Sequence, residues 1–281
     1  MEAIVVEIAK ILAEPQKCHI CDVGANPIGG DAPYQRMLDL GLSDVTGFEP
    51  QPEAFNRLLQ EKSECETYLP TAIGDGSDAE LRIFQGSGFA SFYDIDPETV
   101  RTLHSLKRYT QLIEKIPCKT SKLDDLDAVR PIDFLKIDVQ GSELSIIQNA
   151  QDKLSEAIAI QTEVRFFPLY TNEPTFGELD TELRNQGFQL HDFVGLKRFK
   201  FNSPNSGNVR RKYKRQLLDG DAIYIRDLRK ISQFSDKQLK NLGQLSLLVF
   251  ESIDLTVFVL SELVRRNLFE KTLLDAFTEQ L

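Results

Sequence analysis

The chain has 281 residues, of which 41% are hydrophobic and 27% are charged, a composition typical of a folded globular protein. This length suits one large α/β domain with appendages, and it is enough to bury a substantial core. The formal net charge of −10 argues against broad sequence-independent binding to nucleic acid, which needs a basic surface. We therefore expect a folded protein that does not bind nucleic acid.

Membrane-spanning and secretory segments are not expected. No apolar run reaches the ~18 residues of a membrane span, and the nearest one, residues 245–263, is interrupted by Glu251 and Asp254. The N-terminus lacks the positively charged lead of a signal peptide. We expect a cytoplasmic protein without a membrane span.

Two of the four cysteines, Cys18 and Cys21, have the spacing of a zinc or redox motif. On a strand, however, residues three apart point to opposite faces, and neither Cys65 nor Cys118 lies in a second such pair. The cysteines are therefore predicted to be buried thiols, and no metal site is assigned to them.

The predicted elements begin with an N-terminal helix over residues 2–14, in which apolar residues recur at helical spacing until Pro15. The elements that follow are strand 19–23, helix 34–40, strand 45–48, helix 52–62, strand 134–139, helix 144–149, strand 157–164, helix 175–186, and strands 188–193 and 222–225. Alternating strands and helices predict a parallel sheet with crossover helices. Extra strands are predicted at 81–84 and 116–121, with their order left open.

This pattern divides the chain into an N-terminal helix (1–17), a main domain (18–227) and a C-terminal helical extension (228–281). Apolar residues recur at helical intervals in the extension. They predict a cover for the core or the surface of a homodimer rather than a membrane anchor.

A basic segment precedes the last strand. Residues 199–218 contain six lysines and arginines and no acidic residue, in an otherwise acidic protein. Two interpretations of the basic segment 197–215, which overlaps this stretch, stay open. It is either a solvated loop or hairpin, or a basic rim that receives a negatively charged substrate such as a phosphorylated sugar or lipid.

A nucleoside site is predicted at the strand, loop and helix of residues 20–40. Loops at the carboxyl ends of parallel strands open a crevice where ligands bind, and Gly24 allows a sharp turn close to a ligand. Glu49 ends the next strand, where a carboxylate can accept hydrogen bonds from both ribose hydroxyls. Together, Gly24 and Glu49 indicate a nucleoside.

The same loop departs from the dinucleotide fingerprint G-x-G-x-x-G. Asn26 occupies the second glycine position, Pro27 follows it, and the loop continues through Gly29 and Gly30. A pyrophosphate bound at a helix N-terminus relies on that fingerprint, whereas a polar loop with Asp22 suits a ligand that carries an ammonium group. The loop favours S-adenosylmethionine, and NAD stays the alternative cofactor.

A second acidic site lies at the end of the strand 134–139. Gly141 permits a tight turn and Ser142 is a good N-cap for the next helix. Capping does not account for Lys136 and Asp138, two charged residues that alternate with apolar ones at a strand end. Both are therefore candidates for a role in chemistry.

Three further features are candidates for the same crevice. Glu163 and His191 lie near the predicted ends of the next two strands, and a histidine can act as a general base near neutral pH. Residues 88–93 form a loop of small and aromatic residues that could close over the adenine or the acceptor. A structural hydrogen bond for His191 and a packed surface loop for 88–93 are the competing interpretations.

Taken together, these motifs make the chain resemble the FkbM-type methyltransferases, which are class I enzymes that use S-adenosylmethionine. The resemblance covers roughly residues 20–227 and rests on four segments in the family's order, which are 22–26, 47–52, 133–143 and 161–170. It implies a Rossmann-like α/β fold, namely a seven-stranded, mostly parallel class I sheet with an antiparallel last strand at 221–225. It also implies O-methylation.

The resulting hypothesis is an S-adenosylmethionine-dependent O-methyltransferase that acts on a hydroxyl of a sugar, glycan precursor or secondary metabolite. An NAD-dependent oxidoreductase and a non-catalytic nucleotide-binding scaffold are the alternatives. The predicted cofactor-binding residues are Asp22, Gly24, Ala25, Asn26, Glu49, Pro50, Gln51, Ile73 and Asp138. The predicted catalytic candidates are Asp138, His191, Glu163 and Lys136. A divalent ion between Asp138 and Glu163 is a further option that the spacing does not establish.

Overall fold

The computed structural model describes residues 1–26, 30–86 and 88–281. Its strands are β1 Cys18–Val23, β2 Ser43–Phe48, β3 Glu66–Leu69, β4 Ala72–Ile73, β5 Asp78–Phe84, β6 Ala90–Ser91, β7 Leu112–Ser121, β8 Phe134–Ile137, β9 Ala159–Arg165, β10 Phe188–Phe199 and β11 Gln216–Arg226. Seven of them form the central sheet in the order β10-β11-β9-β8-β1-β2-β3.

All neighbours in the central sheet are parallel except β11, which runs antiparallel between β9 and β10. The strand β1 is buried along its whole length, because helices cover both faces of a parallel sheet. The predicted α/β fold is confirmed, with a seven-stranded, mostly parallel sheet and an antiparallel last strand.

The helices are α1 Glu2–Leu12, α2 Gln35–Asp39, α3 Pro52–Glu61, α4 Pro97–Thr102, α5 Glu143–Gln148, α6 Phe176–Asn185, α7 Asp236–Leu248, α8 Ile253–Arg265 and α9 Lys271–Thr278. Their boundaries follow ordinary capping chemistry. Pro52 opens α3, and Thr175 and Glu178 form a reciprocal capping box at the start of α6. Helices therefore begin close to where the sequence predicts them.

The C-terminal extension covers one face of the sheet. Leu242, Leu245, Val259 and Phe277 are buried in one core with residues of α1, and the amide of Gln244 donates to the carbonyl of Ala9. The interpretation as core cover is confirmed, while the homodimer stays a prediction.

The longest apolar run of the extension does not form one helix. Residues 245–263 are divided between α7 and α8, with a non-helical connection between them. Within residues 1–26, 30–86 and 88–281, no helix combines the length and the apolar character that a membrane crossing requires.

A second, smaller sheet lies between β3 and β8 in the chain. Its four strands have the order β4-β7-β5-β6, and β5 and β7 pair antiparallel along most of their length. The extra strands predicted at 81–84 and 116–121 are confirmed as parts of β5 and β7.

Two strands are longer than the sequence predicts. β10 extends to Phe199 rather than to residue 193, and β11 begins at Gln216 rather than at residue 222. The added residues form a hairpin in which exposed and half-buried positions predominate in β10. They lack the apolar run by which a buried strand is recognised in sequence.

The four cysteines are unpaired in the structure. Cys18 and Cys21 are buried on β1, as predicted, whereas Cys65 and Cys118 are half-buried. Burial raises the pKa of the Cys18 and Cys21 thiols above the ordinary value, so both are expected to stay protonated and unreactive.

Candidate functional site

A cavity of about 430 Å³ lies at the carboxyl ends of β1, β2 and β8, beneath the smaller sheet and the hairpin of β10 and β11. The predicted site residues that line it are Gly24, Asn26, Glu49, Pro50, Gln51, Ile73 and Asp138. It has the size of a small-molecule site and lies where parallel sheets usually bind ligands. Most of the predicted cofactor-binding residues are therefore brought together.

Gly24 closes the β1 loop against the neighbouring strand end. Its φ is +82°, and a Cβ atom at this position would lie 2.0 Å from the backbone oxygen of Asp138. The N–H groups of Gly24 and Ala25 donate to the carbonyl of Phe48 at 3.1 and 3.0 Å. The loop is thus fixed between the ends of β2 and β8, which only glycine permits.

Asp22 supports this loop from below rather than facing the large cavity. One carboxylate oxygen lies 2.9 Å from the Nζ of Lys136, and the other accepts a hydrogen bond of 2.6 Å from the Tyr34 hydroxyl. The same Nζ donates to the carbonyl of Gly24 at 2.9 Å. Asp22 and Lys136 thus hold β1, β8 and the loop together, and neither lines the large cavity; their roles in cofactor binding and catalysis stay predictions.

Ala25 also lies behind the loop, where it packs with Leu58 and Tyr68. Asp22, Ala25 and Lys136 border a second cavity of about 300 Å³, which shares Asn26 and Asp138 with the first. Gly29, through which the loop continues, lies outside the described residues. Gly30 borders the second cavity.

Glu49 is the most distinctive group in the large cavity. It is 2% exposed, and one carboxylate oxygen accepts a hydrogen bond of 2.7 Å from the Gln51 N–H. Burial raises the pKa of Glu49 from 4.5 to about 7. Burial makes the Glu49 carboxyl costly to ionise. Its position in the cavity wall therefore indicates a site for a ligand with hydrogen-bond donors.

Asp138 is exposed at the end of β8 and is oriented by Gln140. The Gln140 amide nitrogen donates to Asp138 Oδ1 and to Glu163 Oε2, at 2.9 Å in both cases. Its amide oxygen accepts from the Tyr170 hydroxyl at 3.1 Å. Gln140 also has a φ of +59°, which is strained for a residue other than glycine and is typical of functional positions.

Glu163 lies behind this contact in a buried ion cluster. The guanidinium of Arg165 lies 2.7 Å from Glu163, 2.8 Å from Asp219 and 3.3 Å from Glu173. Burial raises the pKa of the Glu163 and Glu173 carboxyls. Glu163 is thus engaged by Arg165 and Gln140, and it does not line the large cavity.

Asp138, Glu143 and Glu163 present oxygens within 4.8 Å of one another. Protein donors already occupy the two buried members. Glu143 accepts from the backbone N–H groups of Val139 and Gly141, and Glu163 accepts from Arg165 and Gln140. This cluster therefore carries no assignment of a divalent ion.

His191 is not brought to the cavity. Its Nε2 lies 3.0 Å from the Ser252 hydroxyl, beside the start of α8, and it is absent from the cavity wall. Because β10 is longer than predicted, its end carries Lys197 and Phe199, about 20 Å and about 26 Å along the strand from His191. The contact with Ser252 supports the structural interpretation of His191, whose role as a general base stays a prediction.

Aromatic residues form the outer wall of the cavity, and they are Phe89, Phe92, Tyr109 and Phe199. The rings of Phe89 and Tyr109 are stacked, with centroids 6.1 Å apart. The predicted loop 88–93 does reach the cavity, through Gly88, Phe89, Ala90 and Phe92.

Sequence reasoning missed Gln140, Tyr109, Lys197 and Phe199 as wall residues. The strand-end position of Gln140, beside Asp138, was a usable signal for that residue. The other three come from segments whose packing over the cavity depends on tertiary structure.

The comparison with protein families agrees with this geometry. A family model described as the methyltransferase FkbM domain matches residues 22–190, more than half of the chain. The chain belongs to the FkbM methyltransferase family. The matched range contains all four segments on which the sequence resemblance rests, and it includes the end of β1 and the whole of β2, β8 and β9.

One individual relative is similar to the chain over part of its length. A candidate methyltransferase of Jannaschia sp. (strain CCS1) is 31% identical over 172 residues, which cover 57% of this chain and 57% of that protein. The chain thus matches little more than half of that relative's length.

Two solved structures are similar at low identity. A methyltransferase FkbM from Methylobacillus flagellatus KT has 15% identity and a TM-score of 0.39, covering 74% of this chain and 43% of that one. Magnesium protoporphyrin IX methyltransferase from Synechocystis PCC 6803, with bound S-adenosylmethionine, has 10% identity and a TM-score of 0.39, covering 80% and 79%.

Proposed function

We propose that this FkbM-family protein binds S-adenosylmethionine in the large cavity and methylates a hydroxyl of a sugar, glycan precursor or secondary metabolite. The observation that carries the proposal is the buried carboxylate of Glu49 at the end of β2, next to the glycine loop of β1. In an FkbM-family chain, this pair suits the ribose of the methyl donor.

The cavity residues fit the separate parts of this ligand. Glu49 accepts hydrogen bonds from ribose hydroxyls, and Gln51 and Ile73 border the adenine. Asn26 Oδ1 is buried without a hydrogen-bond partner among the described residues, so it is free to accept from an ammonium group. Buried polar atoms are usually paired, which makes Asn26 a fitting contact for the methionine end.

Asp138 is the group placed to receive a proton. S-adenosylmethionine supplies a methyl group on a positively charged sulfur, so the protein must position the acceptor oxygen and take up its proton. The Asp138 carboxylate reaches the cavity, and the hydrogen bond from Gln140 fixes its orientation. The buried Glu163 acts through Gln140 as a positioning residue.

We expect Glu49→Gln to weaken S-adenosylmethionine binding at pH 8 by roughly tenfold to a hundredfold, because a charge-assisted hydrogen bond contributes about 1.5–3 kcal/mol. Burial raises the pKa of Glu49 to about 7, so the wild-type carboxylate becomes protonated as the pH falls through 7. Wild-type affinity should therefore fall between pH 8 and pH 6, whereas the variant's should not. Isothermal titration calorimetry at both pH values measures this.

Glu53→Gln is the matched control, since Glu53 is an exposed acid in the first turn of α3. It should bind S-adenosylmethionine as the wild type does at both pH values. Unchanged affinity of Glu49→Gln at pH 8 would place the ribose elsewhere. Tight binding of NAD by the wild type, without binding of S-adenosylmethionine, would favour an oxidoreductase.

We expect Asp138→Asn to lower the rate of methyl transfer by roughly a hundredfold or more, because an amide cannot take up the acceptor proton. The assay follows tritium from methyl-labelled S-adenosylmethionine into a small-molecule extract of the source organism, which also identifies the acceptor. Asp192→Asn, an exposed acid on β10, serves as the control. Binding of the methyl donor without any transfer by the wild type would support a scaffold instead.

A further inference from the structure

Two rings at the outer wall of the cavity each hold a cation. The guanidinium carbon of Arg108 lies 4.4 Å from the centroid of the Tyr109 ring. The Nζ of Lys214 lies 5.3 Å from the centroid of the Phe199 ring. Tyr109 and Phe199 both line the cavity, and they belong to different parts of the chain. Positive charge from two separate elements therefore lies against the outer wall of the cavity formed by Tyr109 and Phe199, which we call the cavity mouth.

These cations are not neutralised by the protein. Among the described residues, the side chains of Arg108 and Lys214 form neither an ion pair nor a hydrogen bond. By contrast, Lys197 in the wall of the large cavity lies 3.1 Å from Asp219, and Lys136 in the wall of the second cavity lies 2.9 Å from Asp22. Residues 199–218, which include Lys214, also contain no acid. The charge at the mouth is thus available to a ligand.

The inner part of the cavity has the opposite charge. Glu49 and Asp138 line it without an ion pair in the described part of the chain, while Asp219 is paired with Arg165 and Lys197, so an anionic group is repelled from the reacting end and attracted to the mouth. The two cations are held against aromatic rings, which reduces the side-chain entropy that a bound anion would have to restrict. This polarity would orient an acceptor that has one acidic group.

We propose that the methyl acceptor carries a phosphate or carboxylate group that Arg108 and Lys214 bind at the cavity mouth. The remainder of the acceptor packs against Phe89, Tyr109 and Phe199, with its hydroxyl directed inward to Asp138. This assignment rests on the proposed methyltransferase function. It makes Arg108 and Lys214 residues that determine acceptor specificity, and it gives part of the basic segment a role at the rim.

The test is calorimetric titration of three probes into the protein saturated with S-adenosylhomocysteine, the product of the methyl donor. The probes are 4-nitrophenyl phosphate, 4-nitrobenzoate and the neutral 4-nitrophenyl β-D-glucoside, which share an aromatic ring. We expect at least one acid to bind about tenfold or more tightly than the glucoside, because charge-assisted hydrogen bonds are the stronger ones. The two acids distinguish a phosphate from a carboxylate.

The double variant Arg108→Gln with Lys214→Gln should lose about tenfold or more in affinity for the preferred acid and leave the glucoside unchanged. The control, Lys10→Gln with Lys271→Gln, removes the same charge from exposed positions on α1 and α9 and should bind the acid as the wild type does. Equal binding of acids and glucoside, or unchanged acid binding by the first variant, would overturn the proposal.

Binding of S-adenosylmethionine is measured in parallel, and both double variants should retain it. If the wild type does not bind S-adenosylmethionine, the proposed function is contradicted. If it binds S-adenosylmethionine but shows no preference for the acidic probes, only the acceptor assignment is contradicted. The two failures are therefore distinguishable.

Discussion

Arg165→Met should lower the free energy of unfolding by roughly 3–5 kcal/mol, because breaking a buried ion cluster leaves its remaining charges uncompensated. The Arg165 side chain is only 6% exposed, and its guanidinium contacts Glu163, Glu173 and Asp219. Methionine fills a similar volume but neutralises none of these three carboxylates. Urea unfolding at 25 °C gives the difference in free energy.

The loss should be larger at pH 8 than at pH 5. Burial already raises the pKa of Glu163 and Glu173 in the wild type, and removal of the cation raises these values further. A carboxyl whose folded pKa lies above its unfolded pKa binds its proton more tightly in the folded state. Stability therefore falls as the pH rises through the folded pKa, and acid should partly rescue the variant.

Arg184→Met provides the control for this prediction. Arg184 also pairs with an aspartate, Asp180, at 2.7 Å, but its side chain is 45% exposed on α6. Exposed pairs of this kind contribute little, so we expect a loss of about 0.5 kcal/mol or less. A comparable loss in the two variants would show that the buried cluster is not a main support of the fold.

The parts of this fold that can be predicted from sequence are those whose pattern lies within a short segment of the chain. The strands β1 and β8 are short buried segments that end in polar residues, and Gly24, Glu49 and Asp138 stand at strand ends where chain position alone indicates a site. These residues could be placed from the sequence because parallel strands bring their carboxyl ends to one edge of the sheet. All three line the cavity.

The remaining parts of the site depend on contacts between distant segments. The role of Lys136 is set by its ion pair with Asp22, from another strand, and nothing in the local pattern separates this pairing from a catalytic role. His191 lies away from the cavity because the polar half of β10 extends beyond it, and that half has no apolar signature in the sequence. Tyr109 reaches the cavity from the segment just before β7 of the smaller sheet. The order of the strands in that sheet could not be predicted from the sequence.

Gly24→Ala is expected to cost about 2–5 kcal/mol of stability. A left-handed backbone conformation at a residue with a Cβ costs roughly 1–2 kcal/mol, and forcing an extra methyl group into a packed site adds roughly 1–3 kcal/mol. The new Cβ would lie 2.0 Å from the backbone oxygen of Asp138, so the end of β8 must move. Thermal or urea unfolding measures the loss.

Gly41→Ala separates backbone strain from the steric clash. Gly41 has a similar φ of +69°, but no atom lies within 4 Å of the position its Cβ would occupy. It should lose only the roughly 1–2 kcal/mol of the left-handed conformation.

The two variants should also differ in activity. Displacement of a reacting group by about 1 Å can cost a hundredfold in rate. Gly24→Ala should therefore lose methyl transfer at temperatures where it is folded, whereas Gly41→Ala should not. Equal losses of stability in the two variants would mean that the β1 loop relaxes away from Asp138, and the strand-end contact would then not be what fixes the position of the carboxylate.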